Sequence, residues 1–90
     1  MSAEPDKMTT SLVGIPPAAS IVFDAAEIGA ILRLRRKELG YTQEEVAAFM
    51  GISPRLVGEI ERGRKTVGVQ KVLSMATGLG IDICLLVRGK

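Results

Sequence analysis

The tightest constraint on this chain is a helix-start signal that occurs three times between Asp24 and Ser53. Asp24 with Glu27, and Thr42 with Glu45, pair a capping side chain with an acid three residues on, so that each answers an orphan backbone donor of the other. Ser53 is the third cap, and Pro54 follows it at the first helical position, where a missing N–H costs nothing. Apolar pairs bracket the caps as hydrophobic staples: Phe23 with Ile28, Tyr41 with Val46, Ile52 with Val57. Gly40, Gly51 and Gly63 stand where a left-handed residue ends a helix. The chain is thereby cut into three short helices: one after Asp24, one from Thr42 to about Met50, and one over about Pro54 to Arg62.

The first of these carries Ile28, Ile31, Leu32 and Leu39 at helical spacing. Beyond the third, the basic loop Arg64-Lys65-Thr66 leads to a fourth segment, Val69 to Thr77, with Val69, Val72, Leu73 and Ala76 on one face and Gly78 and Gly80 closing it. Residues 81–87, rich in branched aliphatics, read as a strand. A lone strand needs a partner for its backbone groups. Ile21 to Phe23 is the only candidate within the chain; the same strand of a second copy is the other, with Ile81, Ile83, Leu85 and Val87 as its alternate positions. Before Ser20, the scatter of Pro5, Gly14, Pro16 and Pro17 lets no period settle. The expected organisation is a flexible arm over 1–20, a helical domain over 21–80, and a dimerisation strand with its tail over 81–90.

Ninety residues hold one small core at most. The chain is 47% hydrophobic with one Tyr, two Phe and no Trp, so an aliphatic core is expected rather than an aromatic-lined cofactor pocket. With a single cysteine, Cys84, and no histidine, neither an internal disulfide nor a zinc cluster can form, and no metal or cofactor is expected. No apolar run approaches the roughly 20 residues a membrane helix requires, and residues 1–20 lack the pattern of a secretory signal. A cytoplasmic protein is expected. Catalysis finds little to use: Glu44 and Glu45 are adjacent rather than on one helical face, no histidine can act as base, and Cys84 sits among aliphatics. The chain is not expected to be an enzyme. A net charge of +2 permits a nucleic-acid partner without requiring one.

Two short helices joined by a turn containing glycine form a helix-turn-helix, which needs a small residue where the helices cross and apolar residues where they pack. Counting from Gln43, Ala47 is fifth, Gly51 ninth, Val57 fifteenth and Ile60 eighteenth: small, glycine, aliphatic, aliphatic. With Gly40-Tyr-Thr-Gln-Glu-Glu-Val-Ala47, Gly51-Ile-Ser-Pro54 and Ile60-Glu-Arg-Gly63, the chain resembles the xenobiotic-response-element class of DNA-binding domain, the Cro and lambda-repressor-like family, from about Asp24 to Gly80. The aliphatic tail is similar to that of HipB-type antitoxins. The resemblance implies a mainly α fold, a lambda-repressor-like bundle of four to five helices, with the C-terminal strand paired across a homodimer.

Two charges intrude on the apolar stripes. Arg36 lies between Leu32 and Leu39 on the first helix, and Glu61 follows Ile60 on the third. Singly buried, each would be costly; if the two helices pack, they can pair, and the resemblance implies the same bridge. The family's geometry sends the start of the third helix toward a DNA major groove, so Ser53, Pro54, Arg55, Gly58 and Glu59 are candidate base-reading positions. Arg55 can bind guanine bidentately and Pro54 can touch a thymine methyl. Glu59 can accept from cytosine, face solvent, or pair with Arg55 four residues earlier. Thr42 and Gln43 at a helix N-terminus, with Arg62, Arg64 and Lys65, are candidate phosphate contacts. Arg33, Arg35 and Lys37 read as a solvated face. The function implied is repression at a two-fold-related, double-stranded operator, more narrowly by an antitoxin that also binds a HipA-type kinase toxin. A regulator without a toxin partner, and a protein-interaction module with secondary DNA binding, are the alternatives.

Overall fold

The computed structural model describes residues 19–89, and the arm expected over the first twenty residues falls almost wholly outside them. Four helices follow one another among the described residues: α1, Ala25–Glu38; α2, Gln43–Met50; α3, Pro54–Glu61; and α4, Val69–Gly78. The local signals account for the first three starts. The Glu27 amide donates to Asp24 Oδ1 at 2.9 Å while Glu27 Oε1 accepts from the Asp24 amide at 3.2 Å. Thr42 and Glu45 repeat the exchange at 3.0 and 2.9 Å. Ser53 Oγ accepts from the Leu56 amide at 3.1 Å, with Pro54 in the first turn. Helix α4 begins at Gly68 without a side-chain cap, so its start had no local signal to read.

The turn between α2 and α3 is closed by Gly51, whose φ of 71° lets the Ile52 amide reach back to the Ala47 carbonyl at 3.0 Å. That closure is what keeps the connection to three residues and sets the two helices across each other. Ala47, at 2% exposure, lies at the crossing with Val46 and Val57, both wholly buried. Leu32 from α1, Ile60 from α3, and Met75, Ala76 and Leu79 from the α4 end complete the core.

Helix α1 approaches α3 backbone to backbone at Gly29. An added Cβ there would lie 2.4 Å from the Ile60 carbonyl oxygen and 2.5 Å from that of Glu61, so only glycine allows this packing distance.

One sequence expectation is corrected, and a second is not met within the single chain. The inward face of α4 is Val72, Met75, Ala76 and Leu79, whereas Val69 is 72% exposed and Leu73 partly so. Both sets have helical spacing; what the rest of the chain offers to pack against selects between them. Residues 81–89 carry no strand among the described residues. A strand exists only through hydrogen bonds to a neighbour, and Ile21 to Phe23 does not serve as one. Ile81 packs half-buried against the core, while Ile83, Leu85 and Val87 are exposed, as is the Cys84 thiol.

Candidate nucleic-acid interface

The interface rests on a buried polar cluster joining three helices. Arg36, reaching from α1, places Nε 2.5 Å from Glu61 Oε2 and Nη2 3.0 Å from Oε1. Its Nη1 donates to the Tyr41 carbonyl at 2.8 Å, so the connection from α1 to α2 is tied to the same guanidinium. Gln43 Nε2 donates to Glu61 Oε1 at 3.0 Å, bringing in the first turn of α2. Arg36 and Glu61 are 7% and 6% exposed. Burial works against the Glu61 carboxylate, but the hydrogen bonds from Arg36 and Gln43, with the Arg36 charge, outweigh it and hold its pKa below the usual carboxylate value. The hydrogen bond to Glu61 is the chief cause that raises the Arg36 guanidinium above its ordinary value, against the cost of desolvation.

The cluster sets the angle at which α3 is displayed. Its first turn, Ser53, Pro54 and Arg55, is exposed, and the Arg55 side chain is 84% exposed. One turn on, Gly58 is buried: a methyl placed on it would point at the Arg62 guanidinium, 3.1 Å away, and at the Gln43 amide, 3.6 Å away. Gly58 thus lies under two polar side chains instead of on the outward face expected of a base reader, and lacks a side chain to present there. Glu59 accepts from Arg64 Nη1 at 2.5 Å and pairs with Arg55 Nε at 3.4 Å. Of the three options the residues left open for Glu59, the pair with Arg55 forms, and Arg64 joins it.

The candidate phosphate contacts divide between free and committed groups. Arg62 and Lys65 are exposed. Arg64 is half exposed at its side chain but tethered to Glu59, and its backbone N–H also donates to the Glu59 carbonyl at 3.0 Å. The Thr42 hydroxyl accepts its cap bond and retains its own proton to donate. Gln43 gives one amide proton to Glu61 and retains the other.

Two residues were missed from the sequence. Arg35, read as solvated, donates from Nε to the Leu79 carbonyl at 2.9 Å and so ties α1 to the end of α4; nothing local signals a partner 44 residues away. Gly29 had a signal, since a mid-helix glycine is costly without a packing reason.

Among the described residues no group of three His, Cys, Asp or Glu could hold a metal ion, and no helix is long and apolar enough to cross a membrane. What the geometry does supply is a short helix displayed on three others, with Arg55 at its exposed start and Arg62, Arg64 and Lys65 at and beyond its end: a helix-turn-helix domain. Residues 32–86 match the helix-turn-helix family model HTH_3, and the chain belongs to that family. Among curated relatives, it is 37% identical over 65 residues to an uncharacterized HTH-type transcriptional regulator, y4mF, of Sinorhizobium fredii, covering 72% of this chain and 86% of the relative. It is 44% identical over 58 residues to another, YazB of Bacillus subtilis, covering 63% and 84%.

Among solved structures, a HipB variant in complex with an O2 20mer superposes with a TM-score of 0.71 at 18% identity, covering 81% of this chain and all of that one. HipB in a HipA-HipB-O2-O3 complex gives 0.69 at 18% identity over 74% and 94%. The restriction-modification controller protein C.AhdI of Aeromonas hydrophila gives 0.57 at 34% identity over 64% and 88%. The HipB likeness is one of fold.

Proposed function

We propose that this chain is a sequence-specific DNA-binding transcriptional repressor that acts as a homodimer in the cytoplasm. Each copy inserts the start of α3 into a major groove, the two half-sites lying about one helical turn, roughly 34–36 Å, apart. The observation that carries this reading is the exposed first turn of α3, with the Arg55 side chain 84% exposed on a helix whose other face is locked in the core. Arg55 is the chief base reader, with Ser53 and Pro54 beside it. Thr42, Gln43, Arg62 and Lys65 hold the DNA backbone, with Arg64 beside them tied to Glu59. A net charge of +2 makes a single half-site weak, so two are needed for useful affinity. The dimer forms by pairing residues 81–87 of two copies, which satisfies the backbone of a segment that leaves Leu85 and Val87 exposed in one chain.

The narrower role is that of an antitoxin that represses its own operon and binds a HipA-type kinase toxin, supported by the fold shared with HipB. The 34% identity to a restriction-modification controller favours a second reading, a regulator without a toxin partner. Selection of bound duplexes from a random pool tests the common core: a palindromic site is expected, with relaxed preference at one base per half-site for Arg55→Ala. Failure to bind any DNA at low salt would instead indicate a protein-interaction module. Co-purification with the kinase from a two-gene expression separates the two regulator readings.

A further inference from the structure

The three charges on the outer edge of α3 meet at one carboxylate, that of Glu59. Arg55 comes nearest to Glu59 Oε2 with Nε, at 3.4 Å, an ion pair without the short hydrogen bond that Arg64 makes to the same oxygen. Bidentate recognition of guanine needs two parallel N–H donors, and the two terminal nitrogens of Arg55 can supply them while Nε stays near the carboxylate. Glu59 is itself fixed: its side chain is 15% exposed, and Arg64 grips it through Nη1 at 2.5 Å and anchors to the Glu59 carbonyl through its own backbone N–H. A carboxylate already shared by two guanidinium groups is poorly placed to accept from a cytosine amino group.

We propose that Glu59 is a positioning residue for DNA recognition: its carboxylate, fixed by Arg64, biases the exposed Arg55 guanidinium toward the outer edge of α3, and it restrains Arg64 from binding phosphate indiscriminately. This rests on the DNA-binding reading given above. An Arg55 biased by the ion pair has less rotamer freedom to lose on meeting guanine, and the neutralising acid lowers affinity for arbitrary DNA. Both effects raise the ratio of specific to non-specific binding.

The test compares wild type and Glu59→Gln on the site selected from a random pool, on the same site with the Arg55-dependent guanine replaced, and on a scrambled duplex, across a salt series. Glu59→Gln is expected to reduce discrimination at that guanine by roughly three- to tenfold, the range set by immobilising one long side chain. Affinity for the scrambled duplex rises, and its log–log salt slope steepens by up to about 0.9 as Arg64 gains a phosphate. In an Arg55→Ala background, Glu59→Gln should change discrimination at that guanine no further. The proposal is overturned if Glu59→Gln shifts preference at a different base pair, a cytosine, which would make Glu59 a reader, or if discrimination and scrambled-duplex affinity are both unchanged. If wild type selects no sequence, the DNA-binding reading falls and takes the proposal with it; a clean wild-type site without the expected Glu59→Gln response sinks the proposal alone.

Discussion

Substituting alanine for glycine at two helical positions should move stability in opposite directions, although the chemical change is the same. At Gly29 the new Cβ would meet backbone oxygens of Ile60 and Glu61 at 2.4 and 2.5 Å. Ordinary contact begins near 3.4 Å, so α1 would have to withdraw from α3 by about 1 Å, the difference between 3.4 and 2.4. Backbone cannot rotate aside as a side chain can. The withdrawal opens the core at Leu32 and Ile60 and draws Arg36, two turns further along α1, away from Glu61. Overpacking of this kind costs about 1–3 kcal/mol, and stretching a buried ion pair adds to it. Alanine's helix propensity returns about 1 kcal/mol. A net loss of about 2 kcal/mol follows, or roughly 8–16 °C in melting midpoint for a domain of this size.

At Gly58 the Cβ would lie 3.1 Å from the tip of the flexible Arg62 side chain, which can move. There the propensity gain of about 1 kcal/mol survives, and Gly58→Ala should melt at or above wild type. Thermal and urea unfolding followed by circular dichroism at 222 nm would read both. Equal effects of the two substitutions, or a Gly29→Ala protein as stable as wild type, would refute the inference that backbone contact at Gly29 sets the α1–α3 distance.

Glu61→Ala should destabilise the domain by about 3 kcal/mol, because it leaves the Arg36 guanidinium buried without its anion; the urea midpoint should fall at an unchanged slope. The lowered pKa of Glu61 has a definite sign in pH: its contribution is present above the unfolded carboxylate value near ~4.3 and is lost as pH falls through the lower folded value. Melting midpoints from pH 7 to 2 should therefore drop on the acid side in wild type and less steeply in Glu61→Gln. Gly63→Ala should cost more than a propensity change explains, since φ is 75° and the Cβ would lie 2.3 Å from the Ala26 Cα; a melting midpoint unchanged from wild type would contradict this. Arg35→Ala should cost about 1 kcal/mol by removing a donor to the Leu79 carbonyl, visible as faster amide exchange at the end of α4.

Helix boundaries were legible because the groups that set them lie within one turn. Asp24, Thr42 and Ser53 cap amides three residues away, and Gly51 closes a turn spanning Ala47 to Ile52. Ala47, Val57 and Ile60 could be placed inside because the helical period, with those starts, fixes their direction. For Arg36 and Glu61, two costly intrusions on two stripes implied a mutual solution, and they lie within hydrogen-bonding distance.

The sequence alone determined where the first three helices begin and end and most of the residues each turns inward, since capping and periodicity act over a few residues; Leu39 and Gly58, expected inside and outside, are exposed and buried. Tertiary structure decided what depends on the meeting of distant segments. It selected Met75 and Leu79 over Val69 and Leu73 as the α4 core face, tied Arg35 to Leu79 and Gln43 to Glu61, and required glycine at 29. It also bound Glu59 between Arg55 and Arg64, a choice that local spacing left open. Packing distance and hydrogen-bond partners are properties of pairs, and one member of a pair does not specify the other.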